Sequence, residues 1–372
     1  MRFRARDLGL KIGTMATGPS NTINDVNGVK VGHETIIEGE GEHIPGKGPI
    51  RTGVSVIFPH SGDTYMDNVP AAMEWLNGFG ECLGYGFVQE FGFIIGPIVI
   101  TNSFNVYKAA DALQDWSIKN HPEVGIKAHG LLCVVAECSD DWLNDIQGRH
   151  VHKEHVFRAI DNAATEPCRE GSIGAGTGMI AFEWKGGVGS SSRVIPSEHG
   201  GYTVGVMVVT NFGADEQLII GGVRIGDKIH VPEDPIPTDK EGSCVIVVAT
   251  DAPFSSHQLK KMAKRAFLGL SRTGGTGRNG SGDLAIAFST SHKIARDPKS
   301  MAEERTVIHE FSYDTINDLF DAAVEATEEA ILNSMFMSDT MVGRGGNTVH
   351  GLPIPEVIEE MNRHGYNLKM PG

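Results

Sequence analysis

Short apolar runs bounded by Gly, Asn or Pro alternate with stretches of helical periodicity along the whole chain. Residues 54–58, 94–101, 131–136, 204–210, 245–250 and 284–288 form such runs. They show no polar alternation, so each is predicted to be a strand buried on both faces, between layers. One helix reads clearly: Leu259, Met262, Ala263, Ala266, Phe267 and Leu270 fall on a single face at 3.6-residue spacing. Ser255 followed by Gln258 makes a capping box at its start. A second long helix is predicted from about residue 314 to 334, with Ile316, Leu319, Phe320, Ala323, Ala330 and Ile331 on one stripe. Two more are predicted over 106–119 and 152–163.

Buried strands alternating with amphipathic helices place the chain in the α/β class. Its 372 residues suffice for one large α/β domain or two medium ones. The strongest linker signal is 230–241, with Pro232, Pro235 and Pro237 among acidic residues, which is expected to be extended and exposed. The strands on its two sides are equally apolar and no internal repeat is present, so it reads as a loop within a single domain, 1–372.

The formal charge is −15 and the sequence pI near 5.4. An acidic surface repels phosphate backbones, which argues against a nucleic-acid partner, and it suits a cationic substrate. The five cysteines, Cys82, Cys133, Cys138, Cys168 and Cys244, include no C-x-x-C pair and are expected to be buried free thiols in a reducing compartment. The first residues lack the apolar core of a signal peptide, and no run reaches the roughly 18 apolar residues of a membrane helix. A cytoplasmic protein without membrane attachment is expected. His152 and His155 stand three apart without a third ligand nearby, so neither a catalytic metal nor another cofactor is expected.

Five segments can carry chemistry. The first is Gly242-Ser243, where the linker meets the strand 245–250. A glycine carbonyl is open to approach, and the adjacent serine hydroxyl can attack it. Hydrolysis of the resulting ester would free a Ser243 α-amine, whose pKa of roughly 7.7–8.0 suits a base for its own hydroxyl. The same dipeptide also serves as an ordinary turn. In the second, Ser281 and Asp283, a hydroxyl and a carboxylate two residues apart lie on one side of an extended chain. They either relay a proton or form a capped turn. The third, Gly171 to Gly178, superficially resembles a phosphate loop but lacks the strand–turn–helix context. It is read as close backbone approach to a substrate, followed by a strand over 179–184. Fourth, Asn211 at a strand end before Gly213 is either structural or aims its amide N–H at an oxyanion, a contribution of roughly 3–4 kcal/mol. Fifth, Glu137 closes a buried strand, as a solvated terminus or an ammonium-binding carboxylate.

Taken together and in order, these segments resemble the family of L-aminopeptidases/D-amidase-esterases and β-aminopeptidases. The likeness runs through Ile23-Asn24-Asp25-Val26-Asn27-Gly28-Val29-Lys30-Val31-Gly32-His33, Gly174-Ala175-Gly176-Thr177-Gly178, Lys185-Gly186-Gly187-Val188-Gly189 and Asn211-Phe212-Gly213. It continues through Gly242-Ser243, Ala249-Thr250-Asp251-Ala252-Pro253, Arg272-Thr273-Gly274, Gly280-Ser281-Gly282-Asp283, residues 325–334 and Thr348-Val349-His350-Gly351-Leu352-Pro353.

The resemblance implies a four-layer αββα sandwich and a precursor split between Gly242 and Ser243 into residues 1–242 and 243–372. It also implies a homotetramer of such pairs. Ser243 would be the nucleophile and Asn211 part of the oxyanion hole. Ser281 and Asp283 would hydrogen-bond around the nucleophile or its amine, and Glu137 would bind the ammonium of a small peptide or amide substrate.

Two stretches depart from the family pattern. Cys138-Ser139-Asp140 stands where some members carry an aromatic hydroxyl, and 63–79 contains Met73, Trp75 and Phe79. Both are expected to line the substrate pocket. The expected activity is a self-processing serine aminopeptidase releasing small N-terminal α- or β-amino acids from peptides, amides or esters with a free amine. One alternative is an acyltransferase resembling ornithine acetyltransferase, whose nucleophile is a threonine. The other is an unprocessed ligand-binding protein without catalysis.

Overall fold

A computed structural model describes residues 2–232, 242–296 and 311–371. The predicted linker lies largely outside these residues. In chain order the principal strands are Lys30–Glu38 (β1), Ile50–Phe58 (β2), Asp67–Gly78 (β3), Cys82–Leu83 (β4), Phe93–Ile94 (β5), Ile98–Thr101 (β6) and Val134–Glu137 (β7). Val188–Val194 (β8), Thr203–Asn211 (β9), Ser243–Thr250 (β10), Gly282–Ser289 (β11) and Ile294–Ala295 (β12) follow.

They form two mixed sheets. One has the order β1-β2-β6-β7-β4, with β6 and β7 parallel. The other has the order β8-β9-β10-β11-β3-β12, with β5 added on β3 and with β10 and β11 parallel. The helices Val106–Asn120 (α1) and Lys153–Asp161 (α2) cover the first sheet, and Ser256–Arg272 (α3) and Tyr313–Phe336 (α4) cover the second.

The absence of polar alternation now has its cause. Successive residues of a strand point to opposite faces, and here both faces are covered. In β10, Cys244, Ile246 and Val248 pack toward the α3/α4 layer, while Val245, Val247 and Ala249 pack against the first sheet. In β9, Val204, Val206 and Val208 alternate in the same way with Met207 and Val209. In β2, Val54, Val56 and Phe58 face α1 and α2, and Ile57 faces the second sheet. Three apolar layers between four layers of structure make an αββα sandwich, as the resemblance implies.

The predicted α3 face is buried throughout, and its capping box closes through the Ser255 N–H donating to Gln258 Oε1 at 2.9 Å. Other expectations are corrected. The run 94–101 is two strands in different sheets, because Gly96 turns at φ +79° and Pro97 offers no N–H to a ladder. The run 131–136 becomes strand only at Val134. Residues 179–184 are no single strand. They enter a hairpin pairing Ile180–Ala181 with Trp184–Lys185. The glycines of 171–178 approach the protein's own backbone rather than a substrate. A Cβ on Gly176 would stand 2.3 Å from the Val188 nitrogen, and one on Gly178 would stand 2.4 Å from the Arg51 oxygen.

All five cysteines are free and buried, as expected. Among the described residues no helix is long and apolar enough to cross a membrane, and no group of three His, Cys, Asp or Glu residues is placed to hold a metal ion.

Candidate active site

The candidate residues gather where β9 ends and β10 and β11 begin. Asn211, the last residue of β9, is the antiparallel partner of Ser243, the first residue of β10, and Ser243 is the parallel partner of Gly282. The pairing brings Asn211 Nδ2 to 3.3 Å from Ser243 Oγ. The Asn211 side-chain oxygen accepts from the Ile180 N–H at 3.0 Å. Because an N–H donor requires the oxygen there, the amide nitrogen must face the serine. Ser243 is only 4% exposed.

Gly242 carries the carbonyl that Ser243 would attack. Its oxygen accepts from the Gly282 N–H at 2.9 Å, which polarises the carbonyl. A Cβ on Gly242 would stand 3.1 Å from three atoms of Asn211 and Phe212, so a side chain would crowd the junction.

Ser281 donates to Asp283 Oδ1 at 2.9 Å, while the other carboxylate oxygen is buried without a hydrogen-bond partner among the described residues. Burial pushes the Asp283 pKa up to about 6 against the opposing Ser281 bond. This pair does not line the same cavity as Ser243. It lines a small one of about 30 Å³, with room for a water, on a wall shared with Gly242, Phe212 and Gly213.

Ser243 opens instead into a cavity of about 660 Å³, which Gly242 also lines. Glu137 stands in its wall from the other sheet, at the end of β7. The Glu81 N–H donates to Glu137 Oε1 at 3.0 Å and the Ser103 hydroxyl donates to Oε2. Burial raises the Glu137 pKa, opposed by these two donors, with the Glu81 charge adding to the rise. Three carboxylates, Glu81, Glu137 and Asp141, line this cavity with no lysine or arginine among its lining residues, and Phe79 and Phe104 expose their rings beside it. Such a wall favours a cation with an apolar flank.

Of the two departing stretches, Phe79 and Ser139 line the cavity. Met73 and Trp75 do not; Met73 is fully buried in the core between the sheets, and Trp75 packs against that core and tilts onto Tyr85. Cys138 is fully buried behind the cavity and its thiol points to the Val209 oxygen at 3.6 Å.

Sequence reasoning missed Glu81, Ser103 and Phe104. Residues 79–81 cross from β3 in one sheet to β4 in the other, passing between Gly282 and Glu137. Gly80 has little room there, since a Cβ would lie 3.2 Å from Glu137 Oε1 and 3.3 Å from the Gly282 Cα. Ser103 had a readable signal. It closely follows the apolar run 94–101, as Glu137 follows 131–136, and the structure pairs the ends of the two runs, with Thr101 opposite Glu137.

Comparison with known proteins gives the chain a family. The family model described as Peptidase family S58 matches residues 21–349. The β-peptidyl aminopeptidase BapA of Sphingosinicella xenopeptidilytica is 44% identical over 371 residues, covering 96% of this chain and 90% of its own. The structure of a Burkholderia sp. β-aminopeptidase superposes with a TM-score of 0.90 at 38% identity, over 98% of this chain and 100% of that one. The L-aminopeptidase D-Ala-esterase/amidase of Ochrobactrum anthropi, described as a prototype serine aminopeptidase and a variant of the Ntn-hydrolase fold, gives 0.87 at 36% identity, over 97% and 99% of the two chains. The chain belongs to peptidase family S58 and is an aminopeptidase of the Ntn-hydrolase fold.

Proposed function

We propose that the chain cleaves itself between Gly242 and Ser243 and then works as a serine aminopeptidase through the freed Ser243. The observation that carries this reading is the Asn211 amide nitrogen 3.3 Å from Ser243 Oγ, at the wall of a cavity that also holds Glu137. In self-cleavage Ser243 Oγ attacks the Gly242 carbonyl carbon, the C–N bond breaks as the chain passes to the oxygen as an ester, and water hydrolyses that ester. The Gly282 N–H on the same carbonyl supports the first step.

In turnover the Ser243 α-amine, held by Ser281 and Asp283, takes the hydroxyl proton. Oγ attacks the substrate carbonyl and Asn211 donates to the resulting oxyanion. The leaving amine departs with a proton, and water releases the acyl group. Glu137 receives the substrate's terminal ammonium. The carboxylate-lined cavity supports substrates with a free amine, and the names of the relatives favour β-amino acids at that terminus. The threonine expected of an acyltransferase is absent at 243. Buried free thiols favour the cytoplasm, and on family likeness we assign a tetramer of processed pairs, with a solution mass about four times the 40.0 kDa chain.

Kinetics on an alanine amide and its N-acetyl form test the ammonium reading. The acetylated substrate should be essentially uncleaved, and Glu137→Gln should lose at least tenfold in kcat/KM on the free amine with its melting temperature little changed. Equal turnover of the two substrates would sink it.

A further inference from the structure

Lys185 is wholly buried, and among the described residues no carboxylate hydrogen-bonds to it. Its ammonium donates instead to three backbone oxygens: Met179 and Gly186 at 2.8 Å each and Gly176 at 3.2 Å. All three N–H donors of an ammonium are used on carbonyls. Burial drives the lysine pKa down to about 7 against the opposing Asp140 charge, so the cation is held there at a desolvation cost.

A second unfavourable feature lies in the same few residues. The hairpin Ile180–Lys185 turns through Phe182 and Glu183, both left-handed at φ +50° and +61°, positions that Asn and Gly ordinarily occupy. The turn is held against the end of β9. The Phe182 N–H donates to the Phe212 oxygen at 2.7 Å, and the two rings meet edge to face at 5.1 Å. Gly186 packs where a Cβ would stand 2.5 Å from the Thr210 oxygen. Strain and a buried cation in one short element are expected where surrounding structure must hold something in place. What this hairpin holds is the Asn211 side chain, through the Ile180 N–H.

We infer that Lys185 is a positioning residue for the oxyanion-binding amide: by tying the carbonyls of Gly176, Met179 and Gly186 together it fixes the backbone at Ile180, whose N–H clamps the Asn211 oxygen and turns the nitrogen toward Ser243. The inference rests on the reading of Asn211 as an oxyanion donor, and a double-mutant cycle separates the two.

In the full processed protein, Asn211→Ala should lower kcat by roughly 10²–10³. Lys185→Met, which keeps the stem and removes the donors, should lower kcat by about tenfold to a hundredfold with KM within about twofold, as a displaced transition-state contact does. In the Asn211→Ala background, Lys185→Met should cost less than about threefold further, because the amide it positions is gone. Lys185→Gln, retaining two N–H donors, should fall between wild type and Lys185→Met.

An Asn211→Ala enzyme with wild-type kcat would refute the reading of Asn211. A slow Asn211→Ala enzyme in which the Lys185 effect multiplies in full would refute only the role given to Lys185. Folded but unprocessed Lys185 variants, or failure of both to fold, would also overturn it, making the lysine a residue of self-cleavage or of the fold alone.

Discussion

Asp283 sits one residue beyond the partner of Ser243 with one carboxylate oxygen hydrogen-bonded and the other not. Before cleavage no cation answers that second oxygen among the described residues, and burial holds the pKa near 6 rather than 3.8. A carboxyl with a raised folded pKa binds its proton more tightly when folded. Its ionisation therefore costs nothing below pH 3.8, and the cost is complete above about pH 6. In the uncleaved Ser243→Ala chain, Asp283→Asn should raise stability by roughly 1–3 kcal/mol at pH 7 and leave it nearly unchanged at pH 4. Thermal melts of both chains at the two pH values read this directly. An equal effect at both would mean that the carboxylate is not held in the unfavourable ionised form. In the processed enzyme the same substitution should instead lower kcat, if the carboxylate holds the Ser243 amine as proposed.

At the level of elements, proposed cleavage leaves the two products woven through one sheet. β9 and β3 belong to residues 1–242, β10 and β11 to residues 243–372, and the order β9-β10-β11-β3 interleaves them. A buried ion network reinforces this join. Arg193 of β8, wholly buried, meets Glu325 Oε2 at 3.0 Å and Glu329 Oε2 at 2.7 Å on α4, and Arg6 reaches Glu329 at 2.8 Å. Removing one partner from such a network leaves an uncompensated buried charge, so Arg193→Met should destabilise the protein by about 3–5 kcal/mol, read by urea denaturation. A loss below about 1 kcal/mol would show that the network does not join the layers.

This network also explains why β8 was illegible in the sequence. Its Ser190-Ser191-Ser192-Arg193 core is polar yet fully buried, because its partners are the acids and amides of α4 and the N-terminal segment rather than water. Strands with apolar cores, and helices with one apolar face, were readable for the opposite reason. There burial and composition agree.

For the whole molecule, the legible part of the site was the part carried by strand ends. Asn211, Ser243 and Glu137 each close or open an apolar run, and the sandwich brings those ends to one edge. Glu81 and Phe104 were not legible, because they reach the cavity only through a crossover between sheets and a one-turn helix that no local pattern announces. The division between the cavity of Ser243 and the small cavity of Asp283 was equally beyond sequence reading, since it depends on Gly242 standing between them.

In the proposed mechanism the peptide bond between Gly242 and Ser243 is the protein's first substrate. Intact-mass measurement under denaturing conditions, with N-terminal sequencing of each product, tests it. Two chains are expected, one ending at Gly242 and one beginning at Ser243, and for Ser243→Ala a single folded chain of 372 residues. A wild-type protein that remains one chain while hydrolysing an alanine amide would contradict it.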